Sequence, residues 1–87
     1  QAIEYSKQAL SVYNRDDFPM NWATIMMNLG TAYKNRIKGS FEINYTKAIK
    51  CYQNALTIVN EMSHPKFFVA FYHNYANLLI NSSFAIF

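Results

Sequence analysis

The sequence is poor in the residues that turn or cross-link a chain. It contains two glycines, two prolines and one cysteine among 87 residues. A sandwich or barrel of many short strands needs frequent glycine- and proline-containing turns, so this scarcity argues against those classes and favours long helices. The single cysteine, Cys51, cannot form an internal disulfide, which argues against a secreted, disulfide-stapled scaffold. A reducing, cytoplasmic location is the expectation.

Charge is also sparse, and long apolar runs are missing. Charged residues make up 15% of the sequence, whereas 52% is apolar and 17% aromatic. That much apolar surface can offset the entropy of ordering, which excludes an intrinsically disordered chain. No run approaches 18 consecutive apolar residues and no charged leader precedes an apolar segment, so neither a membrane span nor a secretory signal is expected. We expect one folded domain, residues 1–87, of modest stability.

The chain resembles itself at an offset of 46 residues. Ala2-Ile3 aligns with Ala48-Ile49, and Ala9-Leu10 aligns with Ala55-Leu56. The same offset, without gaps, pairs Asn14 with Asn60, Asp17 with Ser63, Pro19 with Pro65, Trp22 with Phe68, Asn28 with Asn74 and Gly30 with Ala76. Similarity at a fixed period indicates a repeat architecture, in which each unit buries its apolar face by stacking on a neighbour.

Apolar residues at three- and four-residue spacing predict four helices, over residues 1–14, 19–36, 44–62 and 65–81. The predicted buried faces of the last three helices consist of Trp22, Met26, Leu29 and Tyr33, then Ala48, Tyr52, Ala55, Leu56 and Val59, then Phe68, Phe71, Tyr72, Tyr75 and Leu79. Because helix-period stripes recur throughout and no strand-period alternation competes, the fold class is predicted to be all-α.

Residues at the helix boundaries agree with this division. The predicted N-terminal caps are Asp17, Asn44 and Ser63. Pro19 and Pro65 stand at the predicted starts of the second and fourth helices, where a missing N–H costs nothing. Gly39 is predicted to adopt the left-handed conformation that ends the second helix.

One stretch of sequence resembles a known repeat signature. Leu29-Gly30-x-x-Tyr33, followed by Ala48-x-x-x-Tyr52-x-x-Ala55-Leu56, is similar to the signature of the tetratricopeptide repeat (TPR), in which small residues let two helices approach closely. The period exceeds the usual value of about 34 because roughly six residues are added at each of two connections. In this the chain resembles the long-period TPRs of large bacterial, especially cyanobacterial, multidomain proteins.

The resemblance implies a solenoid of antiparallel helix pairs. TPR units consist of a first helix, A, and a second helix, B, and the four predicted helices would follow the order B-A-B-A. One repeat, residues 19–62, would be complete, and the half repeats 1–14 and 65–81 would flank it.

The resemblance also implies a function, as a protein–protein interaction scaffold. In TPR arrays the A helices line a concave surface that receives a peptide or partner protein. Asn28 and Asn74 occupy equivalent positions there, and each amide can both donate to and accept from a peptide backbone. Alternatively, each asparagine ties together adjacent helices or loops. By TPR phasing, further residues predicted to face the groove are Met27, Thr31, Lys34, Asn35, His73, Asn77 and Ile80.

No pattern in the sequence indicates catalysis, a cofactor or a metal. Cys51, His64 and His73 do not provide the i, i+4 ligand spacing of a helical metal site. Asp16 and Asp17 stand at a helix start, where negative charge is favourable for structural reasons. We expect a protein that is not an enzyme.

Basic residues around the loop suggest an alternative function. The sequence pI is about 9.1, and residues 34–50 contain Lys34, Arg36, Lys38, Lys47 and Lys50. An RNA-binding helical repeat that uses this basic loop is therefore the second hypothesis, although the net excess is only three charges.

The helix order also predicts self-association. The last helix has no following partner helix and the first has no preceding one, so two apolar faces would remain open. Reciprocal packing of these terminal half repeats would close a homodimer, with or without domain swapping of helices, whereas head-to-tail packing would extend the superhelix.

Overall fold

The computed structural model describes residues 2–36 and 38–83. Within these residues the chain forms four α-helices and no strand: α1 (Ala2–Val12), α2 (Pro19–Lys34), α3 (Phe41–Leu56) and α4 (Pro65–Ser83). The all-α prediction is confirmed. Each helix packs mainly against the helices that precede and follow it in the chain, and the α2–α3 contact is the most extensive. The helices form a flattened layer with Cα extents of 39, 28 and 15 Å.

The α2–α3 contact depends on a glycine. A Cβ atom added at Gly30 would lie 2.5 Å from Cε1 of Tyr52 and 3.2 Å from the Ala48 carbonyl oxygen, so only glycine permits this approach of the two helices. Tyr52 is completely buried, and its hydroxyl shares a hydrogen bond of 2.7 Å with the Thr31 hydroxyl. Burial of its ring therefore leaves no polar atom unsatisfied. Other core residues include Ile3, Met26, Leu29, Tyr33, Val59, Phe71 and Leu78.

The α1–α2 and α3–α4 turns share two hydrogen bonds at the 46-residue offset. Oδ1 of Asn14 accepts from the Asp17 amide at 2.8 Å, and Oδ1 of Asn60 accepts from the Ser63 amide at 2.9 Å. In each turn the next backbone amide donates to the carbonyl of the same asparagine, at 3.0 and 3.1 Å. The sequence repeat is therefore also a structural repeat at these two connections.

The predicted caps at these turns have another role. Phe18 is the N-cap residue of α2, and its side chain makes no capping hydrogen bond. The carboxylate of Asp17 and the hydroxyl of Ser63 each accept a hydrogen bond, at 3.1 Å, from the asparagine of their own turn. They close the turns and do not cap the helices, whereas Pro19 and Pro65 begin α2 and α4 as predicted.

The start of α3 also differs from the prediction. Gly39 has φ of 87°, the left-handed conformation expected of it, but it lies beyond the end of α2. It precedes Ser40, which caps α3 because its Oγ accepts from the Ile43 amide at 3.4 Å. The helix therefore begins at Phe41 and not at residue 44.

Asn44, predicted as a cap, anchors the loop before α3 instead. Its side chain is 3% exposed and donates to the carbonyl oxygens of Lys38 at 2.9 Å and Arg36 at 3.5 Å. A buried amide needs such partners, so the α2–α3 loop is held against α3 from its inner side.

The predicted extension of α3 to residue 62 is wrong, because the helix ends at Leu56. The amides of Ile58 and Val59 both donate to the Ala55 carbonyl, at 3.1 and 3.3 Å, which closes the last turn. Thr57, Ile58 and Val59 are consecutive β-branched residues, which crowd a helix. Among the residues that the structure describes, no helix has the length and apolarity needed to cross a membrane.

Candidate partner-binding groove

Two hollows lie between α1 and α2. The larger, about 670 Å³, lies where α1 starts and α2 ends, and its wall includes Ala2, Ile3, Asn28, Thr31, Ala32 and Asn35. The smaller, about 340 Å³, lies at the opposite ends of the two helices and is lined by Ala9, Tyr13, Asn21, Thr24 and Ile25.

Both hollows lie on one side of the helix pair. On the α1 side, the lining residues Ala2 and Ala9 share a helix face. Tyr13, just beyond the end of α1, continues this face because its amide donates to the Ala9 carbonyl at 2.9 Å. On α2, the lining residues from Asn21 to Asn35 recur every three or four positions and also share a face. The hollows are therefore two parts of one surface, which we call the α1–α2 groove.

Three of the predicted site residues meet in this groove: Asn28, Thr31 and Asn35. Asn28 and Asn35 are exposed, and among the described residues no hydrogen-bond partner is found for the Asn28 side chain. Thr31 differs, because its hydroxyl lies 2.7 Å from the Tyr52 hydroxyl and donates to the Met27 carbonyl at 3.1 Å. The groove therefore offers available amides beside a hydroxyl that is already engaged.

Two other predicted residues of α2 do not line the groove. The structure places Met27 in the core, with 4% of its surface exposed. On a helical wheel it falls on the side of Ala23 and Gly30, which is the side covered by α3, and burial suits its apolar side chain. Lys34, in the last turn of α2, is half-buried.

The predicted residues of α4 form a separate set. Asn74, His73 and Asn77 are exposed on α4 and are not among the residues that line the α1–α2 groove. A ring nitrogen of His73 lies 3.1 Å from the Asn77 amide nitrogen, one helical turn away. The TPR resemblance predicts one site shared by both helices, but the α1–α2 groove contains only residues from the α2 part of that site.

The basic residues of the loop region are divided between two surfaces. Arg36 and Lys38 line the larger end of the α1–α2 groove. Lys47 and Lys50 line another hollow on α3, of about 350 Å³, together with the acidic Glu42. One end of the groove therefore carries positive charge.

The α1 wall of the groove contains none of the predicted site residues. Ala2 and Ala9 are small and stand seven residues apart, and the 46-residue offset aligns them with Ala48 and Ala55, which are completely buried. This alignment already indicated that their face of α1 is one that another helix can approach closely.

Cys51 and the two histidines, His64 and His73, were considered as possible metal ligands. Among residues 2–36 and 38–83, no group of three or more His, Cys, Asp or Glu side chains is placed to hold a metal ion. Burial raises the pKa of the Cys51 thiol above its ordinary value, which disfavours the thiolate that a nucleophile needs.

Comparisons with known proteins do not assign a function. No protein-family model matches the chain, and no curated protein or solved structure matches it. The function must therefore be argued from the groove itself.

Proposed function

We propose that this chain is a TPR-like helical-repeat segment that acts as a protein–protein interaction scaffold and binds a partner peptide in the α1–α2 groove. The observation that carries the proposal is the exposed amide of Asn28, which lines an open groove and is not used to tie helices together. Asn44 shows the contrast, because its buried side-chain nitrogen donates to two loop carbonyls. The buried thiol of Cys51 suits a reducing, cytoplasmic setting.

Three features of the helices support the TPR-like assignment. The small residue Gly30 faces the aromatic Tyr52 at the closest approach of α2 and α3, as the signature residues imply. Each helix packs mainly on its neighbours in the chain, which is the pattern of a stacked repeat. The α1–α2 and α3–α4 turns share their hydrogen bonds at the 46-residue offset.

The spacing of the groove amides fits an extended peptide. Asn28 and Asn35 are seven residues apart on α2, which separates them by about 10.5 Å along the helix. An extended chain advances about 3.4 Å per residue, so the two amides can hold backbone groups roughly three residues apart. Ala32, on the same face between them, has a small side chain that leaves room for the peptide. Arg36 and Lys38 favour an acidic group at one end.

A random-peptide display library, selected on the purified chain, would test this proposal. For an enriched peptide we expect Asn28→Ala and Asn35→Ala each to weaken binding by about tenfold, because each removes a hydrogen bond to the ligand. Asn54→Ala, at an exposed amide of α3 outside the groove, is the matched control and should bind normally. Unchanged affinity in the Asn28→Ala, Asn35→Ala double variant would reject the groove as the site.

Asn74→Ala shows how far the binding surface extends. If the concave surface continues from α2 to α4, as the TPR resemblance implies, this variant should also weaken the enriched peptide while leaving helical content intact. Full affinity in Asn74→Ala would confine binding to the α1–α2 groove.

An RNA-binding function has weaker support from the structure. The basic residues that suggested it are divided between the groove and the α3 hollow, and the latter includes Glu42. Binding of a single-stranded RNA probe would weaken steeply with salt because phosphate contacts release counterions. We expect the enriched peptide to show a much shallower salt dependence than such an RNA complex.

A further inference from the structure

The loop between α2 and α3 carries the two cations of the α1–α2 groove. Arg36 and Lys38 are exposed and line the larger hollow together with Asn28 and Asn35. No acidic residue is among the described residues that line this hollow. An exposed cation contributes little to binding when it must first be ordered. The contribution of these two cations therefore depends on how firmly the loop is held.

A buried amide on α3 holds this loop. The side-chain nitrogen of Asn44 donates to the carbonyl oxygens of Lys38 at 2.9 Å and Arg36 at 3.5 Å. One amide nitrogen carries two N–H donors, so it can hold both carbonyls at once. The two carbonyls belong to the same two residues whose side chains line the groove. By fixing their backbone, Asn44 therefore fixes the points from which both cationic side chains extend.

Both ends of the loop are also fixed. At its start, the amide of Arg36 donates to the Tyr33 carbonyl at 3.1 Å, which ties the loop to α2. At its end, Gly39 has φ of 87°, a conformation that strains other residues, and Ser40 caps α3. Between these ends, the bonds from Asn44 hold the backbone on the α3 side.

We propose that Asn44 is a positioning residue of the α1–α2 groove, which holds Arg36 and Lys38 where both can pair with one acidic side chain of a bound peptide. Asn44 is not among the residues that line the hollow, so it acts through the loop and does not touch the peptide. The groove amides bind peptide backbone, which every sequence has. Selectivity for an acidic peptide over a neutral one therefore comes from the loop. This inference rests on the proposed function.

The other basic pair of this region differs in its surroundings. Lys47 and Lys50 line the hollow on α3, where Glu42 offsets part of their charge. The ammonium group of Lys47 also lies 5.3 Å from the centroid of the Tyr33 ring, at cation–π distance. These two lysines provide the same number of positive charges outside the groove, and so they offer a matched control.

Parallel selections from one random-peptide display library, on the wild-type chain and on Asn44→Leu, test the proposal. Leucine has nearly the size of asparagine and no donor. We expect peptides enriched on the wild type to carry Asp or Glu at a fixed position near one end, and peptides enriched on Asn44→Leu to lose that acid alone. A merely structural role for Asn44 would reduce the amount of folded chain without changing this preference.

The outcomes of the selections separate the two proposals. Equal enrichment of the acid on Asn44→Leu overturns the role of Asn44. Enriched peptides without an acid on the wild type also overturn it, while peptide binding in the groove stands. The absence of any enriched peptide on the wild type rejects the proposed function and this inference with it.

Affinities of one enriched peptide and of its counterpart with the acid replaced by the corresponding amide give a quantitative test. We expect the wild-type chain to bind the acidic peptide about fivefold more tightly at low salt, and this ratio to fall as salt screens the charges. In Asn44→Leu the ratio should be about one at every salt concentration, although all cations are still present. A wild-type ratio in this variant overturns the proposal.

Charge variants identify the cations. The double variant Arg36→Gln, Lys38→Gln should also bind the acidic and neutral peptides equally. The double variant Lys47→Gln, Lys50→Gln loses the same net charge and should keep the wild-type ratio. Equal ratios in the two double variants would assign the preference to net charge and overturn the proposal.

A second loop variant covers the case in which Asn44→Leu does not fold. Gly39→Val strains the left-handed backbone at an exposed position, where an added Cβ meets no atom closer than the Asn44 side chain at 3.9 Å. We expect it to displace the loop and to lower the ratio toward one, with helical content unchanged by circular dichroism. A wild-type ratio in the folded Gly39→Val variant overturns the proposal, because the position of the loop would then not matter.

Discussion

At the contact between α2 and α3, Gly30 faces Tyr52, whereas Ala76 and Ser6 stand at the equivalent positions of α4 and α1. The two turns differ much less, since Oδ1 of Asn14 and Oδ1 of Asn60 each accept from the amide of the third residue after them. The turns therefore set how each helix follows the one before it. The faces determine which pairs of helices can approach closely. A repeat can keep its connections constant and still make each of its interfaces distinct.

Substitution of Gly30 should have the largest effect on stability and is the strongest test of the difference between these helix faces. We expect Gly30→Leu to lower the free energy of unfolding by about 3 kcal/mol or more, because a side chain would collide with the Tyr52 ring and with helix backbone. Ala76→Leu, at the equivalent half-buried position of α4, should change it by less than about 1 kcal/mol. Urea unfolding followed by far-UV circular dichroism measures both. Equal effects of the two variants would contradict the assigned difference between the faces.

The turns offer a second test, in which the two copies should behave alike. Asn14→Ala removes two side-chain hydrogen bonds, from the Asp17 amide and to the Asp17 carboxylate, and Asn60→Ala also removes two, from the Met62 and Ser63 amides. We expect each variant to lower the free energy of unfolding by about 1–2 kcal/mol, because two exposed bonds are lost in each turn. Asn54→Ala, at an exposed amide outside the turns, should have no measurable effect in the same urea titration. A large difference between the two turn variants would show that the repeat is not preserved at its connections.

The smallest expected effect is a loss of stability at alkaline pH. It depends on Tyr52, which can titrate, whereas Ser6 at the equivalent position of α1 cannot. Burial raises the pKa of Tyr52 above its ordinary value of 10.0; the Thr31 hydrogen bond opposes this shift and the Cys51 charge adds to it. Burial also raises the pKa of Cys51 above 9.0. Because both pKa values are higher in the folded state, the stability is complete below the unfolded values and is lost as pH rises past them.

Unfolding titrations between pH 7 and pH 11 would measure this effect. We expect stability to begin to fall above about pH 9 through Cys51 and to fall further above about pH 10 through Tyr52. Cys51→Ala should remove the first step and Tyr52→Phe the second, even though both variants start from a lower stability at neutral pH. A decline of the same steepness in Tyr52→Phe would assign the second step to another group.

Much of the fold followed from residues whose chemistry is local. Pro19 and Pro65 marked helix starts correctly because proline is suited to the first turn. The predicted end of α3 was wrong because Val59 continues the apolar helical spacing and is completely buried. Its position in the pattern is that of a helix residue, although it lies beyond the end of the helix. The 46-residue repeat predicts the correct helix end, since it pairs Asn60 with Asn14, which lies in the turn after α1.

The candidate site was less predictable because it depends on contacts between helices. The TPR resemblance predicts Asn28 and, by its phasing, Asn35 as binding residues, and both line the α1–α2 groove. Met27 was assigned by the same phasing, yet α3 covers it, and only the packing of the two helices decides that outcome. Similarly, no local pattern shows that Asn44 is used to anchor a loop while Asn28 remains available.

The packing of each helix on its neighbours in the chain has a consequence for folding kinetics. Contacts between consecutive helices are short in sequence, and proteins dominated by such contacts fold quickly. The connection between α2 and α3 is as short as the one between α1 and α2, and it joins the two helices with the most extensive contact, so we expect the α2–α3 hairpin to form first. Addition of α1 and α4 would follow at either side, and the same two helices would be the first to exchange their amide hydrogens in the native state.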